Sequence, residues 1–283
     1  MEKTRIGTSG NPPHFFASQY GKDRLNAPAW IAEIGLDAYE VLFTHGVRMT
    51  DERAQIMGST ARKNDVQLSV HCPYFAVLTS EKEEVVIKSR ERVKQSLWKA
   101  SIMNATSAVL HPGYYTGEKP LERLRKELKQ LSRWKEEQSI KTTINPEVMG
   151  KVSQLGTVDE VLELSSELEG VRPCIDFGHL HARTQGSMQT KEDFMKVFEN
   201  VERKLGAEEV KRLHCHFAPL EFDAKGEVRH RMHTEKEFKP HPEPFCDAIK
   251  EFGITPTIIS ESKDSQDTAA IEIQEYLKRI RHM

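Results

Sequence analysis

Cys174-Ile-Asp-Phe-Gly-His-Leu-His-Ala-Arg183 is the stretch on which the reading of this chain turns. A short apolar run ends in the carboxylate of Asp176, and two imidazoles follow at His179 and His181. One reading is a strand that delivers a metal-binding carboxylate at its C-terminal end, with further ligands on the loop beyond. The other is a buried aspartate that caps a following helix. The stretch alone does not choose between them, but the same event recurs along the chain.

On both sides of it, short strand-like runs alternate with longer helical patterns, as repeated βα units and a parallel sheet require. Strands are predicted at Arg5–Gly7, Ala38–Phe43, Gln67–His71, Ser107–His111, Lys141–Glu147, a sixth ending at Asp176, Val210–Phe217 and Thr255–Glu261. Helices are predicted at Ala27–Ile34, Thr50–Asn64, Lys82–Met103, around Leu121–Leu131, and at Val158–Leu168, Lys191–Leu205, Pro244–Phe252 and Ser265–Arg281. Gly35 is placed to close the first helix and Thr50 to cap the second. A long polar loop is expected between strand seven and Pro242. Eight such units without a linker-like break make one (β/α)8 TIM barrel over residues 1–283, with its site at the C-terminal ends of the strands. An open doubly wound sheet is the alternative, but the chain carries neither GxGxxG nor a P-loop.

Composition narrows the partners. With 41 basic and 43 acidic residues the net charge is −2, so any nucleic-acid binding must rest on local placement of charge. The four cysteines are widely spread and form no CxxC pair, which argues against a disulfide framework and for a reducing, cytoplasmic setting. No apolar signal core opens the chain and no run of about 18 apolar residues occurs in it, so no membrane partner is expected. The helical clusters Arg90/Arg92/Lys94 and Arg123/Arg125/Lys126 are interleaved with acids and read as solvated faces.

The strand ends carry the chemistry. They read His71, His111, Glu147, Asp176 with His179, His216, and Glu261. Alternation puts Gln67, Ser69 and His71 on one face, and likewise Ser107, Val109, His111 and Thr257, Ile259, Glu261. A single histidine at a strand end is more often structural than a ligand. Several converging carboxylates, however, would repel one another and rise in pKa, a conflict that divalent cations remove. Imidazoles and carboxylates without thiolates suit Zn²⁺ or Mn²⁺.

These residues resemble the endonuclease IV family of metal-dependent abasic-site nucleases, within the wider xylose-isomerase-like barrel group, and specifically a divergent archaeal-type branch. The similarity runs from Leu42 to Glu261 through Leu42-Phe-Thr-His-Gly-Val-Arg48, Val70-His-Cys-Pro-Tyr-Phe75, Leu110-His-Pro-Gly-Tyr-Tyr115, Pro146-Glu-Val-Met-Gly-Lys-Val-Ser-Gln-Leu-Gly156, Cys174–Arg183, Leu213-His-Cys-His216 and Ile259-Ser-Glu261. The resemblance implies that His71, His111 and Glu147 hold one metal, with Glu147 bridging to a second completed by Asp176, His216 and Glu261. It implies His179 as a ligand of a third. The family completes that third site with an Asp-x-His pair after strand seven; here the segment reads Gly226-Glu-Val-Arg-His-Arg-Met-His233, with His230 as the best substitute and His233 as another. Two or three Zn²⁺ ions are implied, with Mn²⁺ as the other candidate. Arg48 and Tyr74 match residues that enter the minor groove at the lesion.

The implied activity is cleavage of double-stranded DNA 5′ to an abasic site by a monomeric, zinc-dependent endonuclease, with Glu147 and Glu261 as its catalytic carboxylates. The alternative is a sugar isomerase or epimerase, whose single metal needs only Glu147, Asp176, His216 and Glu261. The extra His71, His111 and His179 favour the nuclease; the altered third site and the absent positive charge favour the isomerase. His181 and His214 are placed to orient ligating groups or simply to pack.

Overall fold

Strand alternation decides what faces the inside of this molecule. The computed structural model describes residues 3–281. Strands β1 (Arg5–Ser9), β2 (Ala38–Leu42), β3 (Gln67–His71), β4 (Ser107–Leu110), β5 (Thr143–Pro146), β6 (Cys174–Asp176), β7 (His214–Phe217) and β10 (Thr257–Ser260) form one sheet. All pairs are parallel, in the order β5-β4-β3-β2-β1-β10-β7-β6. The ring closes between β5 and the segment entering β6, where Arg172 N donates to Ile144 O at 2.9 Å and Val148 N to Cys174 O at 3.0 Å. The result is a (β/α)8 barrel, as the alternating pattern predicts.

Around it lie α1 (Pro13–Ala17), α2 (Ala27–Glu33), α3 (Asp51–Lys63), α4 (Glu83–Met103), α5 (Pro120–Glu137), α6 (Val158–Glu167), α7 (Phe177–Arg183), α8 (Lys191–Leu205), α9 (Ala207–Lys211), α10 (Pro242–Phe252) and α11 (Gln266–Arg281). Local signals fix several ends. Thr50 accepts from Arg53 N at the start of α3, Thr157 and Glu160 form a capping box on α6, and Gly35 takes φ +82° past α2. None of these helices is long and apolar enough to cross a membrane. In α4, Lys94 lies 3.1 Å from Glu91 within the same helix, as expected, whereas Arg90 Nε reaches across to the buried Glu127 of α5 at 2.6 Å.

Two expectations need correcting. Val210 and Lys211 do not open strand seven; they belong to α9, which starts at Gly206 (φ +92°), and the strand proper begins at His214. An apolar Val210 beside basic residues mimics a strand edge, yet its burial is served equally by a single helical turn. The polar loop after strand seven is also structured. It forms an antiparallel hairpin, β8 (Leu220–Asp223) and β9 (Gly226–His230). Charged residues occupy both of its strands and Val228 is exposed, which hides the alternation of Leu220 and Phe222.

The residue after a barrel-facing ligand points outward, and here it anchors the strand. Phe177 follows Asp176, Phe217 follows His216, and both meet Phe245 of α10, with ring centroids at 4.8 and 5.0 Å. Phe194 and Phe198 of α8 complete this buried cluster. Each ring contributes about 1.5–3 kcal/mol of burial, so two strands that present polar groups inward are held by aromatic groups outward. At the opposite, N-terminal end of the barrel a polar cavity of about 920 Å³ is lined by Gln67, Ser107, Thr143, Asn145, His214 and Thr257 among others.

Candidate metal centre

The stretch Cys174–Arg183 satisfies both of its readings at once. Asp176 caps α7, its Oδ1 accepting from His179 N at 2.7 Å, while its Oδ2 turns toward His179 Nδ1 at 3.3 Å and His216 Nδ1 at 4.0 Å. Capping fixes the carboxylate's orientation, so the second oxygen is presented into the barrel mouth without a rotameric choice.

Glu147, one residue beyond β5, lies at the middle. Its Oε2 is 3.2 Å from His71 Nε2 and 3.3 Å from His111 Nε2, while its Oε1 is 3.1 Å from His179 Nδ1 and 3.4 Å from His216 Nδ1. The two oxygens therefore face two different groups of donors. One group is His71, His111 and Glu147; the next is Glu147, Asp176, His216 and Glu261; a third is His179, Glu227 and His230; a separate set, Cys174, His214 and His216, shares His216 with the second. Within each, one ligand atom per residue lies within 4.8 Å of the others. Ser9 at the end of β1 holds Glu261, donating to its Oε1 at 2.9 Å.

The third group contains a residue that the sequence pattern does not single out. Glu227 of the hairpin stands 3.4 Å from His179 Nε2 and 3.7 Å from His230 Nε2. The Asp-x-His pattern is replaced by Glu227-Val-Arg-His230, one residue longer. Two glycines let the hairpin come this close. A Cβ on Gly150 would meet Glu227 Cβ at 2.7 Å, and one on Gly226, at φ +93°, would meet Gly150 O at 2.1 Å. The Gly226-Glu-Val-Arg-His run is the signal that could have found it. His230 joins the group, whereas His233 does not. It packs beside Thr268 and Glu272, at the other end of the hairpin loop.

Charge explains what these groups are doing. Burial opposes ionisation of Glu147, but the surrounding imidazoles of His111, His179, His216 and His71 outweigh it and hold the carboxyl well below its usual range. Burial pushes Asp176 up to about 6, with Glu147 and Glu261 adding to the effect. His179 and His216 are raised well above the usual imidazole value despite burial, by Asp176 and Glu147 for the first and by Cys174, Glu40 and Glu261 for the second. Burial lowers His111. Mutual repulsion among bare carboxylates is thus relieved for Glu147 by histidine and remains for Asp176. Buried Glu147 Oε1, Asp176 Oδ2 and His216 Nδ1 have no hydrogen-bond partner among the described residues, and all three point into the same space. Buried polar atoms without partners are costly, and a cation there would satisfy all three. The donors that face this space are oxygen and imidazole nitrogen, so these residues fit a divalent metal.

The remaining sequence candidates fall as follows. Tyr74 is 46% exposed and stacks on His111, ring centroids 4.8 Å apart and 7° from parallel, with its edge contact to His71 also at 4.8 Å. Arg48 lies on the loop between β2 and α3, on the same face of the barrel. His181 accepts from Met188 N at 3.1 Å and packs on Phe222, outside all three groups. His214 points at Glu40, a buried acid of β2 that the strand-end pattern also misses.

The family described as xylose isomerase-like TIM barrel matches residues 28–280. This chain belongs to that family. An uncharacterized protein of Methanocaldococcus jannaschii is 31% identical over 262 residues, 91% of either chain. Among solved structures, a D-tagatose 3-epimerase-like protein superposes with a TM-score of 0.73 at 19% identity, covering 99% of both chains. Endonuclease IV from Thermus thermophilus superposes at 0.72 with 15% identity, covering 98% of this chain and 99% of the other. D-Psicose 3-epimerase from Clostridium cellulolyticum reaches 0.66 at 13% identity, covering 100% and 99%. At such identities the likeness is one of fold.

Proposed function

We propose that this protein is a metal-dependent phosphodiesterase that cleaves DNA 5′ to abasic sites and leaves a 3′-hydroxyl. The observation that carries the reading is Glu147, whose two oxygens face separate donor groups. A bridging carboxylate with histidines on both sides is what a multinuclear centre requires, and a one-metal sugar enzyme has no use for His71, His111, His179, Glu227 and His230. His71 and His111 with Glu147 would hold one Zn²⁺, Asp176, His216 and Glu261 with Glu147 a second, and His179, Glu227 and His230 a third; Mn²⁺ suits the same donors. When bound, such cations supply Lewis acidity, polarising phosphoryl oxygens and acidifying water.

The chain's own groups do the rest. Glu147 stays ionised between its imidazoles and fixes the spacing of the two halves. Glu261, whose side chain is 11% exposed against 1% for Glu147, is more open to solvent than Glu147 and would align the attacking water. His230, 25% exposed, and Glu227, 17% exposed, mark the side from which a phosphate can approach. Tyr74, Phe75, Tyr114 and Tyr115 are exposed on the loops after β3 and β4 and offer surfaces on which unpaired bases stack. Arg48 on the neighbouring loop would meet the duplex backbone or groove.

A second reading has its own support. Glu147, Asp176, His216 and Glu261 are a complete set for one ion, and keto-sugar 3-epimerases are among the similar folds. The deciding experiment uses metal-replete protein and a labelled duplex with one tetrahydrofuran abasic analogue, beside Glu147→Gln. Incision 5′ to the analogue by the wild type alone supports the nuclease. No incision, with one ion per chain, transfers the assignment to epimerisation of small ketoses.

A further inference from the structure

Three imidazoles at the centre have a backbone carbonyl against one ring nitrogen. Cys72 O is 2.8 Å from His71 Nδ1, Val148 O 3.0 Å from His179 Nδ1, and Glu261 O 3.0 Å from His230 Nδ1. His216 differs. Its Nδ1 faces Glu147 and Glu261, and its Nε2 stands 3.1 Å from Oε1 of Glu40, an ion-pair contact between two buried atoms that make no hydrogen bond. Glu40 is an acid in the middle of β2 with no solvent exposure at all, and it belongs to none of the donor groups. Such a charge is unfavourable in a barrel interior unless other groups hold it. Its Oε2 is held from two other strands: Ser69 Oγ of β3, opposite Glu40 in the ladder, donates at 2.7 Å, and His214 Nε2 of β7 lies at 3.1 Å.

We propose that Glu40 is a positioning residue of the metal centre, which keeps the His216 proton on Nε2 so that the Nδ1 lone pair is aimed at the space between Glu147, Asp176 and Glu261. This rests on the multinuclear centre proposed for this chain. A neutral imidazole has one N–H and one lone pair, and the group behind the ring decides which nitrogen carries which. A carboxylate does so more firmly than a carbonyl and makes the opposite nitrogen a stronger donor. Ser69 and His214 stop the carboxylate from rotating away. Of these four imidazoles His216 is the one with no backbone carbonyl against a ring nitrogen; His179 Nδ1 has Glu147 and Asp176 at 3.1 and 3.3 Å in addition to its carbonyl.

The test is zinc titration in chelator-buffered solutions, with bound metal counted by mass spectrometry, on full-length wild type, Glu40→Gln, Ser69→Ala and Cys174→Ser. Glu40→Gln keeps the shape and the bond from Ser69, so it is expected to lower the affinity for one ion by about 10–100-fold and leave the others unchanged. Ser69→Ala should lower the same affinity by less than about tenfold. Identical titrations for wild type and Glu40→Gln overturn the proposal, as does equal weakening of every ion together with altered circular dichroism, which marks a merely structural role. If Glu40→Gln does not fold, unchanged affinity in Ser69→Ala overturns it. Loss of an ion in Cys174→Ser would mean that Cys174, His214 and His216 are themselves a metal site, which also overturns it. A wild type that binds no ion overturns the multinuclear centre itself, a result distinct from all of these.

Discussion

The donors at the barrel mouth come in two kinds. Of those on or just past the strand ends, His71, Glu147, Asp176 and His216 are at most 1% exposed, His111 and Glu261 are 21% and 11% exposed, and the strands that carry them are backed by the parallel ladder or by the Phe177–Phe217–Phe245 cluster. Those on the hairpin, Glu227 and His230, are partly exposed and reach the centre only because Gly150 and Gly226 allow the hairpin to lie against the β5–α6 loop. A shift of a barrel strand would break every neighbouring register, whereas a hairpin can lengthen by a residue and still return its side chains to one place. This is how Glu227-x-x-His230 can stand where the resembled family has Asp-x-His. The strand-borne part of the centre is the rigid one and the hairpin-borne part the adaptable one.

That contrast can be broken at its strongest point first. Glu147→Gln is expected to lower incision of an abasic duplex by about 10³-fold or more, with unchanged circular dichroism, since fixed charge at the reacting centre usually contributes most to the rate. Retained cleavage by pure variant would sink the assignment. On the hairpin, Glu227→Gln should cost about 10–100-fold and one bound ion, by analogy with other orienting and outer ligands. Metal counting on both variants sharpens the comparison, because Glu147→Gln should disturb two ions and Glu227→Gln one.

Acid probes the strand-borne part through Asp176. Asp176 has its carboxyl raised from an ordinary 3.8 to about 6 in the metal-free chain, so the folded state holds a proton there more tightly than the unfolded one. That group's contribution to metal-free stability is fully present below 3.8 and is lost as pH rises through about 6. A cation must displace that proton and those held by His179 and His216, so zinc affinity should fall as pH is lowered, by about tenfold per pH unit or more below about 6. Titrations at pH 5, 6 and 7 measure this, and a flat profile would remove Asp176 from the ligand set. Chelation of wild type should lower the melting temperature by about 10 °C for each ion removed, if each is present at about a thousand times its dissociation constant. The smallest effect is expected outside both parts: Tyr74→Ala should weaken duplex binding by about 1 kcal/mol through lost stacking, read by fluorescence anisotropy.

What can be read from the sequence follows from period and position. The eight βα units are legible because β-branched and apolar runs of strand length alternate with helical runs, and the strand-end donors are legible because a barrel has one mouth. Glu227 is not, since a charged hairpin has no clear alternation. Glu40 is not, since Ala38-Tyr-Glu-Val-Leu42 reads as an apolar strand with one exception, although an acid on the inward face is the signal to follow. Val210 reads as the wrong element because one buried valine fits a strand edge and a helical turn equally well.

By itself, then, the sequence determined the barrel, the strands that carry donors and the face on which they meet, because hydrophobic period is a local property. Only the tertiary structure decided that Glu147 divides its two oxygens between groups, that Glu40 of β2 stands behind His216 of β7, and that the hairpin completes the third group. Those relations depend on distances between strands far apart in sequence, which no local pattern records.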